Sequence, residues 1–274
     1  MLKKTAKKTI NLFLSSLERT SVGRYIYRSL LEDAMQQTSK VSHNGVDLQF
    51  TVPNLLNKYR VDSFSVKEPE TLEWIDGFED DSVLWDVGAN VGLYSCYAAK
   101  LKDCSVLAFE PSVFNLELLA RNTYINNLIN KITIFPLPLS NESSSDKLNM
   151  TTTQWGGALS TFGQEYGQDG EVLEKVFEFQ TCSIPMDRLC HYFRLPEPDY
   201  IKMDVDGIEH LILQGGQSIL KQVKSILIEI NDDFIEQSSK CSEILQEAGL
   251  NLVEKRHSEI LEGTNSYNQI WSRS

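Results

Sequence analysis

The chain has no stretch approaching the roughly 20 consecutive apolar residues of a membrane-spanning helix, so no span is expected. Its five cysteines (Cys96, Cys104, Cys182, Cys190 and Cys241) are odd in number, widely spaced and without a C-x-x-C pair. That argues against a disulfide framework or a zinc ribbon and for reduced thiols in a cytoplasmic protein. The four histidines are never paired at ligand spacing, so a His-rich metal site is not expected either. A basic surplus is also missing. The net charge is −12; residues 1–30 hold Lys3, Lys4, Lys7, Lys8, Arg19, Arg24 and Arg28 against Glu18 alone, a net of +6, which leaves −18 on the rest. An acidic body repels phosphate backbones, which argues against nucleic acid as a partner. The N-terminus lacks the long apolar core and small-residue cleavage site of a signal peptide, and no internal repeat is visible.

What is present is enough for one large domain. With 274 residues, 41% of them apolar, an N-terminal extension over residues 1–64 and a main domain over 65–274 are expected. Residues 1–38 read as one or two amphipathic helices broken near Ser21–Gly23. Leu2, Ile10, Leu12, Phe13, Leu14 and Leu17 interleave with the basic residues there, a pattern suited to weak peripheral contact with an anionic membrane. Packing on the domain itself, or on a partner subunit in an oligomer, is the plainer alternative. Asn44-Gly45 signals a hairpin, and Pro69 opens a helix. From there strand and helix alternate: strand 83–87, helix 92–102, strand 105–109, helix 112–126, strand 132–136. Residues 142–197 interrupt the alternation, with a strand expected at 176–182. It resumes with strand 199–204, helix 208–221, strand 224–230 and helix 235–248. A last hairpin joins strands near 250–255 and 266–272 through a polar turn at Glu262–Ser266. Such alternation predicts an α/β, doubly wound, mostly parallel sheet with helices on both faces.

The most informative stretch is Val83–Ser95, VLWDVGANVGLYS. It reads as a buried strand, a glycine turn and a helix start. Asp86 interrupts the strand near its ligand-facing end, and Gly88 and Gly92 let the backbone turn sharply beside a ligand. The following helix points its free N–H groups into the same crevice. A second strand ends in Glu110, placed to accept hydrogen bonds from both ribose hydroxyls of a nucleoside. Asn90 stands where a dinucleotide fold wants its middle glycine, and its side chain would crowd a pyrophosphate. Asn90 and Asp86 instead suit the head group of an amino acid. A nucleoside carrying an amino acid is S-adenosylmethionine.

On these residues the chain resembles the FkbM-type S-adenosylmethionine-dependent methyltransferases. The matching segments are DVGANVG (Asp86–Gly92), FEPSVFNLELLARN (Phe109–Asn122), PLSN (Pro138–Asn141) and DYIKMDVDGIEHLILQGG (Asp199–Gly216). Asp206 replaces a Glu usual in that family. Pro138 replaces an Ala, which leaves the adenine contact to backbone or to Asn141. The resemblance implies a seven-stranded class I methyltransferase sheet, Rossmann-like, with an antiparallel last strand. It implies an O-methyltransferase acting on a hydroxyl of a small molecule or glycan, with a cell-surface polysaccharide sugar among the candidates. Asp86, Gly88, Asn90, Gly92, Glu110 and Asn141 are the expected cofactor residues. A nucleotide-dependent oxidoreductase and a non-catalytic S-adenosylmethionine-binding module are the rival readings.

The expected reaction site is the end of the fourth core strand, Lys202-Met203-Asp204-Val205-Asp206-Gly207-Ile208-Glu209. Asp204 and Asp206 share one face of an extended chain, and both are candidate catalytic carboxylates. Asp206 with Glu209 also fits a helix capping box, whereas Asp204 has no such local duty, and Lys202 is its expected partner. With Glu229 and Asn231, the two aspartates offer oxygen ligands for a hard cation; adjacent strand ends often carry acids, and no metal is assigned.

Overall fold

The structure, a computed structural model, describes residues 9–10, 13–256 and 265–273. The basic run ending at Lys8 and the turn residues Glu262–Thr264 lie outside the described residues.

The chain enters through helix α1 (Ser21–Gln36), followed by hairpin β1 (Thr38–His43) and β2 (Val46–Thr51). The helix break falls before Ser21, not within Ser21–Gly23: the Thr20 hydroxyl caps α1 by accepting from Gly23 N–H. Asn44 and Gly45, at φ +44° and +77°, make the two-residue hairpin turn that needs positive φ at both positions. Helices α2 (Leu55–Asp62), α3 (Phe64–Lys67) and α4 (Pro69–Asp76) lead into the core, α4 opening on its proline.

The core units are β3 (Val83–Val87), α5 (Leu93–Leu101), β4 (Ser105–Phe109), α6 (Val113–Ile125) and β5 (Ile132–Phe135). After the interruption come β9 (Tyr200–Met203), α8 (Glu209–Gln214), α9 (Gln217–Leu220), β10 (Ser225–Asn231), α10 (Ile235–Glu247), β11 (Asn251–Arg256) and β12 (Ser266–Ser272). These strands form one seven-stranded sheet in the order β11-β12-β10-β9-β3-β4-β5. β10, β9, β3, β4 and β5 run parallel, and β12 lies antiparallel between β10 and β11. Alternate side chains feed two cores. Trp85, Val87, Leu107, Phe109, Ile201 and Met203 fill one face; Leu84, Val106, Ala108, Tyr97 and Phe64 fill the other. The expected helix 208–221 is split, because Gly215 and Gly216 sit against the Ser140 carbonyl and Met186, where any Cβ would collide.

The interruption folds as a second sheet, with β6 (Ser145–Met150) between β7 (Ser160–Phe162) and β8 (Phe177–Cys182), followed by α7 (Met186–Phe193). Leu148, Met150 and Phe162 bury into the first core, which fixes this sheet over the carboxyl ends of the main strands. Strand order reverses between β3 and β9, where open α/β sheets bind their ligands. Among the described residues no helix is long and apolar enough to cross a membrane.

Candidate active site

A cleft of about 240 Å³ opens at that reversal point, space for an organic ligand rather than a lone ion. Its lining includes Asp86, Gly88, Asn90, Glu110, Asp204 and Asp206, so six of the eight expected site residues converge there from three strand ends. Gly92 and Asn141 do not line it. Gly92, at φ +81°, starts α5 and packs on α6, with its α-carbon facing Leu119. Asn141 is exposed and accepts from the neighbouring Ser140 hydroxyl at 3.3 Å. The wall at that place is formed by Leu137, Pro138 and Leu139 instead.

Asp86 and Lys202 are register partners on the adjacent parallel strands β3 and β9. The Ser95 hydroxyl on α5 donates to Asp86 Oδ2 at 2.5 Å. Burial pushes the Asp86 carboxyl up, against the pull of Lys202. Its Oδ1 is buried and accepts from no group among the described residues, and the same holds for Oδ1 of Asn90. Two unpaired buried acceptors beside one cleft await donors, since an unpaired buried polar atom costs about 1–3 kcal/mol. An ammonium group supplies such donors.

Gly88 (φ +86°) passes so close to β9 that an added Cβ would lie 1.8 Å from the Asp204 carbonyl oxygen. Only glycine fits there. Asn90 follows, also in the left-handed region at φ +50°. Its backbone N–H donates to Glu110 Oε2 at 2.8 Å, and Ser112 N–H donates to Glu110 Oε1 at 2.7 Å. Glu110 thereby pins the glycine turn to the end of β4. Burial pushes its carboxyl up to about 8, against those two bonds.

Asp204 lies at the end of β9 with its side chain 32% exposed, open to the cleft. Buried Lys202 donates to Asp204 Oδ2 at 3.1 Å, as the sequence suggested. Burial opposes the charge on Asp204, but Lys202 and Lys67 outweigh it and hold the carboxyl below its usual range. Lys202 also sits 5.3 Å from the centre of the Tyr94 ring, a cation–π distance. Asp206 does not cap α8, whose N-cap is Ile208. A φ of +62° turns Asp206 away, and its Oδ2 accepts from Leu159 N–H at 2.8 Å and Ser160 N–H at 3.1 Å. Burial, then the charge of Asp204, pushes the Asp206 carboxyl up to about 7. Glu209 does return to backbone, accepting from Val205 N–H and Gly207 N–H, both at 3.1 Å. Of the other proposed oxygen ligands, Asn231 is absent from the cleft lining and its Oδ1 accepts from Asp233 N–H. Glu229 lines the cleft and accepts from the Ser266 hydroxyl at 2.6 Å. Among the described residues no three His, Cys, Asp or Glu side chains are grouped to hold a metal.

The segment 155–160 crosses the cleft as a strap. Trp155 carbonyl accepts from Asn54 and Asn57, and Gly156 carbonyl from Arg60, all on or at the N-cap of α2. Asn115 on α6 accepts from Gly156 N–H at 2.9 Å and donates to Gly157 carbonyl at 3.0 Å. The Asn90 side chain donates to the same carbonyl at 2.8 Å. Neither Asn115 nor Arg60 was singled out from sequence. Asn115 lies within the Phe109–Asn122 segment of the resemblance, but nothing local marks Arg60.

The family model for the methyltransferase FkbM domain matches residues 86–257. The chain belongs to this family. As an FkbM methyltransferase it takes its methyl group from S-adenosylmethionine, and the oxidoreductase reading falls away. A hexuronic acid methyltransferase, AglP, of Haloferax volcanii is 25% identical over 188 residues, 69% of this chain and 72% of its own. Methyltransferase 1 of Beauveria bassiana is 24% identical over 149 residues, 50% of this chain and 59% of its own. Among solved structures, M. jannaschii TYW2 in complex with AdoMet aligns with a TM-score of 0.45 at 12% identity, over 87% of this chain and 88% of that one.

Proposed function

We propose that this methyltransferase acts on an oxygen of a glycan or small-molecule acceptor, with Asp204 as its base. The observation that carries this is a carboxylate at the end of β9, open to the cleft and held at 3.1 Å by a buried lysine that pulls it below its usual range. S-adenosylmethionine, when bound, supplies an electrophilic methyl group on a sulfonium. Asp86 and Asn90 would hold its amino-acid end and Glu110 its ribose; the orphaned Oδ1 atoms of Asp86 and Asn90 fit that assignment. Displacement at methyl needs little from the protein beyond alignment and removal of the acceptor proton. Asp204 holds that proton, and Lys202 keeps Asp204 ionised and oriented. Asp206 takes no proton in this scheme: it ties the strap to β9 and is a positioning residue. The relative named for a hexuronic acid supports a sugar acceptor. Arg60 and Phe64 line the same cleft as Lys67 and Glu68.

The test is turnover of S-adenosylmethionine to S-adenosylhomocysteine with candidate sugars, in the wild type and in Asp204→Asn. Loss of turnover with cofactor affinity retained supports the assignment. An Asp204→Asn protein that turns over normally removes Asp204 as base.

A further inference from the structure

Three cations line the cleft: Arg60, Lys67 and Lys202. Two are already committed to carboxylates. Lys67 is paired with Glu68, and Lys202 with Asp204. For Arg60, no carboxylate among the described residues lies within ion-pair distance. Its guanidinium instead grips one carbonyl, that of Gly156, through Nε at 2.9 Å and Nη2 at 2.7 Å. An arginine carries five N–H donors, so three remain after this grip, including both on Nη1.

The carbonyl that aims Arg60 is itself immobilised. Gly156 is in the left-handed region at φ +79°, and a Cβ there would lie 2.5 Å from Asn57 Oδ1. Its N–H is held by Asn115, and the carbonyl before it by Asn54 and Asn57. Three side chains therefore fix a turn whose carbonyl orients one guanidinium on the cleft wall. A planar fork held this way is suited to a carboxylate, which it can meet with two parallel hydrogen bonds.

The cleft's own acids leave room for such a group. Burial and then Asp204 push Glu229 well above the usual carboxylate range, and burial does the same for Glu110. Both shifts favour the neutral carboxyl, which lessens the repulsion that an incoming carboxylate meets.

We propose that Arg60 is the anchor for a carboxylate on the acceptor, so that the acceptor class is an acidic sugar or a comparable hydroxy acid. The inference rests on the assignment of this cleft as the methyl-transfer site. A purely structural Arg60, serving only to latch the strap, would treat charged and neutral acceptors alike.

The experiment compares two probes, p-nitrophenyl glucuronide and p-nitrophenyl glucoside, which differ in a carboxylate at one carbon. Their binding to the protein saturated with S-adenosylhomocysteine is measured by saturation-transfer NMR titration, for wild type, Arg60→Ala and Arg60→Lys. Expected is at least a tenfold preference of the wild type for the glucuronide, abolished in Arg60→Ala and partly restored in Arg60→Lys. Cofactor affinity, measured alongside, should change less than twofold in both variants. Equal binding of the two probes by the wild type overturns the proposal. So does an Arg60→Ala protein that loses the same factor on both. Failure of the wild type to bind S-adenosylhomocysteine would instead strike at the cofactor site and so is distinguishable.

Discussion

Gly88 and the Asp204 backbone pack against each other between β3 and β9, and each residue carries a prediction. Asp204→Asn keeps the shape and removes charge and basicity; turnover should fall by about 10²–10⁴, while S-adenosylhomocysteine affinity stays near wild type in a binding titration. Gly88→Ala adds a methyl 1.8 Å from a backbone oxygen on β9, so the strand or the turn must move. A lowered melting temperature together with weakened cofactor binding is expected, and a wild-type melting curve would deny the close approach. Asp86, Glu110 and Asp204 were legible in the sequence because strand ends in a parallel sheet project into one crevice. The aim of Asp206 was not, since its left-handed φ of +62° turns the carboxylate toward the strap. Asn141 lies three residues beyond Pro138, and that spacing says nothing about which of the two lines the cleft, where Pro138 is found and Asn141 is not.

At the scale of elements, the strap ties the inserted sheet to the cofactor turn. Asn115 is its hub, and Asn115→Ala leaves the Gly156 N–H without its acceptor. A loss of about 1–3 kcal/mol is expected for a buried donor, read as a lower denaturant midpoint, with faster amide exchange at residues 156–160. Unchanged exchange there would mean the strap is held by other contacts. The main strands were readable because β3, β4 and β10 are short, largely apolar runs of strand length. The inserted sheet was not, apart from β8: β7 has only three residues, and β6 pairs with partners far along the chain. The N-terminal arm has a prediction of its own. Only Gly23 of α1 is buried, while Val22, Tyr25, Ile26 and Leu30 are exposed. If that arm contacts membranes as proposed, the protein sediments with anionic vesicles at low salt and leaves them at high salt. A chain without residues 1–20 that behaves identically would contradict the contact.

The whole molecule concentrates acids at one end of its sheet, and its stability should report this. Burial raises Glu110 to about 8 from an ordinary 4.5, Glu209 to about 7 from 4.5, and Asp206 to about 7 from 3.8. Each binds its proton more tightly folded than unfolded. The stability from the protonated forms is complete below about pH 4 and is lost as pH rises through 7 to 8. The denaturant midpoint without ligand should therefore be lower at pH 8.5 than at pH 5.5; a higher midpoint at pH 8.5 would show that these carboxyls are not raised. The central claim is that the cleft between β3 and β9 is the S-adenosylmethionine site, with Glu110 on its ribose. Calorimetric titration with S-adenosylhomocysteine, wild type against Glu110→Ala, tests it most directly. One ligand per chain is predicted for the wild type, with a loss of about 1–3 kcal/mol in the variant, the scale of a buried hydrogen bond left without its partner. A folded Glu110→Ala protein that binds with unchanged affinity would contradict it.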